Sequence, residues 1–220
     1  MIKAVIFDLD GVLVSTDDMH YEAWRKLASE LGITGFTRKD NLRQRGVSRM
    51  ASLEVVLEKS ERHYTEREKQ ELAERKNGYY LSLLKTLTPQ SILPGVMEVL
   101  MELRSRSIRI GVGSASKNTP EILSRTGLSD YIDKISCGLD ITRSKPDPQV
   151  FLVAAEKLGV KPEECLVVED ADAGIQAAKA GGMYALAVGT AQHNAQADLN
   201  AVSLVSLDID RILAVDSMHQ

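Results

Sequence analysis

The sequence predicts an α/β protein with a doubly wound parallel sheet and one inserted block of helices. After residue 94, short apolar runs typical of buried strands alternate with amphipathic helical segments. Before that, residues 17 to 87 carry helical patterns and no strand signal, directly after a first strand. We therefore expect a core domain of residues 1–15 and 92–220 and a helical cap domain of residues 16–91.

Composition narrows the possible functions. The chain has 220 residues, 44% of them hydrophobic, and a net charge of −4, which supports a sizeable core. A negative net charge, together with the absence of a stripe of Lys and Arg residues, argues against a nucleic-acid partner. We see no signal peptide, transit peptide or long apolar span, so we expect no membrane partner and a cytoplasmic location. Cys137 and Cys165 alone imply no disulfide framework.

The first strand ends in two aspartates. An apolar run over residues 4–7 is followed by Asp8, Leu9, Asp10 and Gly11. Since strand side chains alternate, Asp8 and Asp10 can point the same way at the carboxyl end, where open α/β sheets bind ligands. Two carboxylates held close together need a metal cation, a shared proton or an incoming cationic group.

The inserted block reads as several helices. One begins in the polar residues 15–18 and ends at Gly32. The pattern Thr65-Glu-Arg-Glu68 fits a capping box that opens a long helix. Lys76 falls on its apolar stripe with Leu72, Tyr79 and Leu83, although Asn77-Gly78 could interrupt that helix.

The remaining elements follow in βα alternation. We predict helices over 96–105, 120–125, 148–158 and 173–180, strands over 108–112, 166–168, 184–188 and, more weakly, 203–207, and a polar surface loop over 191–201.

Three further strand or loop ends carry polar residues. Ser114 precedes a helix N-terminus, where anions bind. Lys145 stands before a proline, and Glu169-Asp170 ends an apolar strand. Hard oxygen ligands of this number suit Mg²⁺ together with a substrate phosphate. Asp8 would then be a nucleophile that attacks phosphorus and Asp10 an acid/base, with Ser114 and Lys145 offsetting phosphate charge.

The order of these motifs resembles the haloacid dehalogenase superfamily over essentially the whole chain. The core is then a Rossmann-like domain and the helical block resembles its C1-type cap. Within the superfamily, the chain is similar to its phosphosugar mutases at Thr16, His20, Trp24, residues 45–49, Ser52, residues 75–77 and residues 114–118.

The resemblance implies a role for each of these residues. Asp8, Asp10, Thr16, His20, Lys76, Ser114 and Lys145 would be catalytic, with His20 and Lys76 coupling cap closure to the position of Asp10. Mg²⁺ would bind Asp8, the Asp10 backbone carbonyl, Glu169 and Asp170. The substrate would contact Trp24, Arg45, Gly46, Val47, Ser48, Arg49, Ser52, Ser116, Lys117 and Asn118, with its distal phosphate on Arg49, Ser116 and Asn118.

The reaction that the resemblance implies interconverts β-glucose 1-phosphate and glucose 6-phosphate through a bisphosphate, in a monomer with a small phosphosugar substrate. A capped sugar-phosphate phosphatase shares every core motif and is the first alternative. A receiver-like phospho-aspartate signalling module is the second, and the helical insertion argues against it. Ser15, Arg45 and Cys137-Gly138 depart from the superfamily's more frequent residues.

Overall fold

The structure is a computed structural model that describes residues 1–205 and 207–216. Its sheet has six parallel strands in the order β3-β2-β1-β4-β5-β6. The strands are β1 (Ala4–Phe7), β2 (Arg109–Gly113), β3 (Lys134–Ser136), β4 (Cys165–Glu169), β5 (Tyr184–Ala187) and β6 (Leu199–Asn200). The predicted doubly wound fold is therefore confirmed.

Nine α-helices lie among the described residues, together with short 3₁₀ turns. They are α1 (Asp17–Glu30), α2 (Arg38–Leu42), α3 (Arg49–Leu57), α4 (Glu66–Leu84), α5 (Val96–Ser105), α6 (Thr119–Thr126), α7 (Gln149–Leu158), α8 (Asp172–Ala180) and α9 (Ile209–Leu213).

Strand β1 lies at the centre of the sheet between β2 and β4. All four of its residues are buried, because its two faces meet two different core clusters. Val5 and Phe7 pack into one cluster and Ala4 and Ile6 into the other. The central position of β1 places its carboxyl end in the middle of the sheet edge at which open α/β sheets bind ligands.

Helices α1 to α4 form the predicted helical block between β1 and α5. Helices α1, α3 and α4 share a separate cluster that includes Trp24, Leu27, Leu53 and Leu72. The Thr65 capping box is confirmed, since Thr65 and Glu68 bond each other's backbone N–H groups at 2.8 and 3.3 Å. An isolated β-bridge pairs Val14 with Ile92. The two chain segments that connect the predicted core and cap therefore lie side by side.

Several details of the elements differ from what the sequence suggested. Helix α4 runs through Asn77-Gly78 without a break, since one glycine costs a helix only about 1 kcal/mol. Its buried aromatic residue is Tyr80, whereas Tyr79 is half-buried. Strand β3 was not predicted, because it has only three residues and begins with an exposed lysine.

The last strand also differs from the prediction. It comprises Leu199–Asn200, inside the stretch predicted as a loop over 191–201. The described residues of the predicted strand 203–207 are not extended in the sheet, and residue 206 lies outside the described residues. A two-residue strand leaves almost no periodic signal.

The sequence predicts neither a membrane-spanning segment nor a disulfide framework. Along the described ranges, none of the helices combines the length and the apolar character needed to cross a membrane. Cys137 and Cys165 are both buried free thiols.

Candidate active site

The nucleophile candidate Asp8 directly follows β1. Its backbone N–H donates to the carbonyl of Val168 at 2.9 Å, which continues the pairing of β1 with β4. The chain then turns at Gly11, which has a φ of +86°. A Cβ at Gly11 would lie 2.3 Å from Oδ2 of Asp170. Only glycine therefore allows this turn so close to the carboxylate.

Asp8, Glu169 and Asp170 form one buried acidic cluster, whose oxygen atoms lie within 4.8 Å of one another. Burial and the nearby Glu169 charge raise the pKa of Asp8 to about 7, against the opposing effect of Lys145. Burial and the Glu169 and Asp8 charges raise the pKa of Asp170 to about 8. Such crowded carboxylates favour a bound cation, and an all-oxygen donor set suits a hard divalent metal ion. This cluster could hold one.

Glu169 is fixed at the end of β4 by its surroundings. The backbone N–H of Ala171 donates to its Oε2 at 2.9 Å. A Cβ at Gly174, in the first turn of α8, would lie 1.9 Å from its Oε1. The close approach of this helix to the carboxylate therefore requires glycine.

Lys145 lies behind the acidic cluster with a fully buried side chain. Its Nζ is 2.5 Å from Oδ1 of Asp8 and 2.5 Å from Oε1 of Glu169. Burial alone lowers the pKa of this ammonium group, but the two carboxylates outweigh burial and the pKa rises above its usual value. Lys145 is therefore charged and offsets the repulsion between two of the carboxylates.

Asp10 has a separate environment. The hydroxyl of the buried Thr16 donates to its Oδ1. Burial, followed by the charges of Asp8 and Asp17, raises the pKa of Asp10 to about 7. A carboxyl group with a pKa near neutrality can both give and take a proton, as general acid/base catalysis needs.

Ser114 follows β2 and begins a chain of hydrogen bonds into α6. Its backbone N–H donates to the carbonyl of Ser136 at 3.0 Å, and its Oγ accepts from the N–H of Ser116 at 3.1 Å. The Oγ of Ser116 in turn accepts from the N–H of Asn118 at 3.2 Å. These turns present small polar groups at the start of a helix, where anions bind.

On the cap side, the buried Lys76 pairs with the partly buried His20. Lys76 Nζ lies 2.9 Å from Nδ1 of His20, and its ammonium lies 4.5 Å from the Trp24 ring centroid. Burial and the Arg49 charge lower the pKa of Lys76 to about 7. Burial and the Lys76 and Arg49 charges hold the pKa of His20 well below its usual value. His20 is therefore neutral, and its Nδ1 accepts the hydrogen bond when Lys76 is charged.

The two arginines of the cap loop differ in their contacts. Arg45 donates to Asp17 at 2.9 Å and to Thr190 of the core at 3.0 Å, and lies 3.6 Å from Asp170. Arg49 has one weak ion pair, with Glu74 at 3.9 Å, and burial lowers its pKa. Arg49 is therefore the arginine more available to a ligand.

These groups surround one cavity of about 750 Å³ between the helical block and the sheet edge. Asn118 Nδ2 donates across it to Oδ1 of Asn77 on α4 at 3.1 Å. Thr16 and Lys145 lie behind the wall. The other predicted site residues line the cavity: Asp8, Asp10, His20, Trp24, Arg45, Gly46, Val47, Ser48, Arg49, Ser52, Lys76, Ser114, Ser116, Lys117, Asn118, Glu169 and Asp170.

Sequence reasoning missed several residues of this region, among them Tyr80, Asp17 and Gln44. Tyr80 stacks on His20 with ring centroids 4.0 Å apart, and its position four residues after Lys76 is the signal that could have found it. Asp17 holds Arg45, and Gln44 lines the cavity. No local pattern marks these two, because Asp17 meets partners 24 and 28 positions away and Gln44 bonds Ser52 across the turn between α2 and α3.

Comparison with known proteins agrees with the geometry. The family model for haloacid dehalogenase-like hydrolases matches residues 2–182. A β-phosphoglucomutase of Bacillus subtilis is 44% identical over 200 residues, 90% of this chain and 88% of that protein. A phosphorylated carbohydrates phosphatase of Thermotoga maritima is 33% identical, over 83% and 82% of the two chains.

Among solved structures, a β-phosphoglucomutase of Clostridium difficile superposes with a TM-score of 0.93 and 40% identity. The match covers 100% of this chain and 99% of that one. The chain belongs to the haloacid dehalogenase-like hydrolase family.

Proposed function

We propose that this chain is a β-phosphoglucomutase, which interconverts β-D-glucose 1-phosphate and D-glucose 6-phosphate through glucose 1,6-bisphosphate. The observation that carries the proposal is a cationic group near each end of one cavity. Lys145 lies behind the cavity wall, beside Asp8 at the sheet edge, and Arg49 lines the cap wall near Lys76. A mutase must hold a phosphate at each end of its sugar, whereas a phosphatase needs to hold only one.

The relatives support the same reaction class. Both the Bacillus subtilis relative and the Clostridium difficile structure are named β-phosphoglucomutases, at 44% and 40% identity over nearly whole chains. The phosphatase relative is less similar, at 33%.

The chemistry follows from the different environments of Asp8 and Asp10. In the first half-reaction, the 6-hydroxyl of β-glucose 1-phosphate attacks phosphorus on phosphorylated Asp8, and Asp10 takes the hydroxyl proton. The bond from phosphorus to the Asp8 oxygen breaks, and the bisphosphate forms. After the bisphosphate turns over, Asp8 attacks its 1-phosphate and Asp10 returns the proton to the departing sugar oxygen.

The neighbours of the two aspartates support these roles. The pKa of Asp10, about 7, suits a group that alternates between acid and base. Thr16 would hold Asp10 in place through its hydroxyl. Ser114 and Lys145 would hold the transferring phosphoryl group, whose oxygens carry the developing charge.

We assign the metal site to Mg²⁺, held by Asp8, the backbone carbonyl of Asp10, Glu169 and Asp170. The donors fit this ion, because all are hard oxygen atoms and the carboxylates lie within 4.8 Å of one another. When bound, Mg²⁺ would neutralise charge on the transferring phosphoryl group.

Substrate recognition would be divided between the cap and the core. Arg49, Ser116, Lys117 and Asn118 would bind the distal phosphate. Arg45, Gly46, Val47, Ser48 and Ser52 would shape the sugar site, and Trp24 would form its wall with His20 and Lys76. The His20–Lys76 pair would couple cap closure to Asp10, whose charge also acts on Lys76.

We further propose a cytoplasmic monomer divided into a core of residues 1–15 and 92–220 and a cap of residues 16–91. A cavity that both parts of one chain enclose needs no second subunit to complete it.

The phosphatase alternative is separated from the mutase by product analysis. Purified protein with Mg²⁺ and a trace of glucose 1,6-bisphosphate is given β- or α-glucose 1-phosphate, and both glucose 6-phosphate and free phosphate are measured. We expect rapid conversion of the β anomer with little phosphate release. Stoichiometric release of phosphate without isomerisation would favour the phosphatase.

A further inference from the structure

Thr190 is a core residue to which the proposed reaction gives no role. It lies in the short 3₁₀ turn Gly189–Ala191 that follows β5, and it does not line the cavity. Its hydroxyl donates to the backbone carbonyl of Asp170 at 2.6 Å. Because Asp170 is a proposed Mg²⁺ ligand, Thr190 holds the main chain of a ligand residue from a neighbouring strand end.

The same hydroxyl also receives the cap loop, residues 43–48 between α2 and α3. Nη1 of Arg45 donates to Oγ1 of Thr190 at 3.0 Å, while Nη2 donates to Asp17 at 2.9 Å. A hydroxyl has one hydrogen and two lone pairs, so the bond to Asp170 uses the hydrogen and leaves the oxygen free to accept from Arg45. A charged donor makes this second bond stronger than a neutral one.

The packing around this contact shows that the cap loop lies directly on the core. Nη1 of Arg45 is 3.6 Å from Oδ2 of Asp170, and only 25% of the Arg45 side chain is exposed. The next residue, Gly46, has a φ of +72°, and a Cβ there would lie 3.7 Å from the Cβ of Ala171. The loop therefore rests on the segment that follows β4 and carries the proposed metal ligands.

Arginine is the residue type that this arrangement needs. Its planar guanidinium presents donors on separate nitrogens, so Arg45 bonds Asp17 of α1 and Thr190 of the core at the same time. One side chain thus ties the start of the helical block to the sheet edge through the Thr190 hydroxyl.

We propose that Thr190 is a positioning residue, which seats Arg45 and thereby holds the cap loop in its substrate-binding position over the sheet edge. This inference rests on the proposed function, in which residues 45–49 bind the sugar and its distal phosphate. Without the seat, the loop is displaced in a larger fraction of molecules. Substrate affinity falls by that fraction, whereas the chemical step in the seated form is unchanged.

The test begins with Thr190→Val, which keeps the shape of the side chain and removes the hydroxyl. At saturating Mg²⁺ we expect the KM and the calorimetric Kd for glucose 6-phosphate to rise about 3- to 10-fold, with kcat within about twofold of the wild type. Thr190→Ser restores the hydroxyl and should restore KM. Thr86→Val is the matched control, because the Thr86 hydroxyl also donates to a backbone carbonyl, at 2.8 Å, and lies outside the site.

Two further readouts separate positioning from a general structural effect. Hydrogen exchange of the cap loop, without substrate, should be faster in Thr190→Val than in the wild type and unchanged in Thr86→Val. In an Arg45→Met background, Thr190→Val should raise KM no further, because the contact is already lost. Since Thr190 is exposed, we expect these variants to fold, which thermal melting checks; Thr190→Ala replaces Thr190→Val if valine lowers the Tm.

Three outcomes would overturn the inference: wild-type KM and exchange in Thr190→Val, additive losses in the double variant, or equal damage from serine and valine. Failure of the proposed function has a different signature. A wild type that binds or hydrolyses glucose 6-phosphate without isomerising it would refute the mutase, while Kd and hydrogen exchange would still decide the role of Thr190.

Discussion

Replacing Lys145 by methionine should strongly destabilise the protein when it is free of metal. The Lys145 side chain is fully buried, and its ammonium lies 2.5 Å from both Asp8 and Glu169. Methionine fills a similar volume but leaves two buried carboxylates without their cation. Removing one partner of a buried ion pair costs about 3–5 kcal/mol. For a chain of this size, that loss corresponds to a fall in Tm of roughly 6–20 °C.

The destabilisation should depend on pH in a defined direction. Burial already raises the folded-state pKa of Asp8 to about 7, and loss of Lys145 raises it further. A carboxyl whose pKa is higher in the folded state than in the unfolded state, where it is near 3.8, penalises folding only once it ionises. The deficit of Lys145→Met should therefore be largest above pH 8 and should shrink as the pH falls towards 5.

Urea unfolding and thermal melting in excess chelator, from pH 5 to pH 8.5, measure this deficit. Lys157→Met is the matched control, because Lys157 bonds Asp140 at 2.7 Å in a partly exposed pair. Such pairs contribute about 0–1 kcal/mol. If the two variants lose the same small amount of stability, or if the Lys145→Met deficit grows at low pH, then Lys145 does not offset the charge of the acidic cluster.

Three further outcomes follow from the site. Excess chelator should abolish phosphosugar turnover and added Mg²⁺ should restore it, so full activity in chelator would exclude the assigned ligands. Arg49→Ala should lower mutase kcat/KM by about 10- to 100-fold but spare acetyl phosphate hydrolysis, which involves no distal phosphate; equal losses would make Arg49 structural. Gly11→Ala should weaken Mg²⁺ binding in a titration, because its Cβ would meet Asp170. Gly35→Ala is the control, with the same φ of +86° and no atom within 4 Å of the new Cβ, and should bind Mg²⁺ like the wild type.

The sequence predicted the sheet edge well because the signals there are local. The alternation of side chains in one strand relates Asp8 to Asp10, and an apolar run followed by acids marks Glu169-Asp170. The parallel topology then requires these strand ends to meet at one edge. The assembly of Asp8, Glu169 and Asp170 into a cluster within 4.8 Å follows from that rule.

The other contacts of the site could not be predicted, because they join residues that are far apart in the chain. The spacing of Tyr80 from Lys76 marks its face of α4, but no periodic pattern relates Tyr80 to His20, which it meets across 60 positions. Arg45 reaches Thr190 of the core, a contact that depends on how the cap loop lies over the sheet edge. The last strand was predicted over 203–207, which is the wrong place. The actual strand β6 has only two residues, and its position is set by pairing with β5.

The most direct test of the central claim, that phosphoryl transfer proceeds through Asp8 with Asp10 as acid/base, is intact-mass measurement of Asp8→Asn and Asp10→Asn after acetyl phosphate treatment. Acetyl phosphate has a good leaving group and needs little protonation, so Asp10→Asn should still gain one phosphoryl group, slowly, although it loses most turnover of sugar phosphates. Asp8→Asn has no attacking carboxylate and should gain none. A phosphorylated Asp8→Asn protein beside an unmodified Asp10→Asn protein would reverse the two roles and contradict the mechanism.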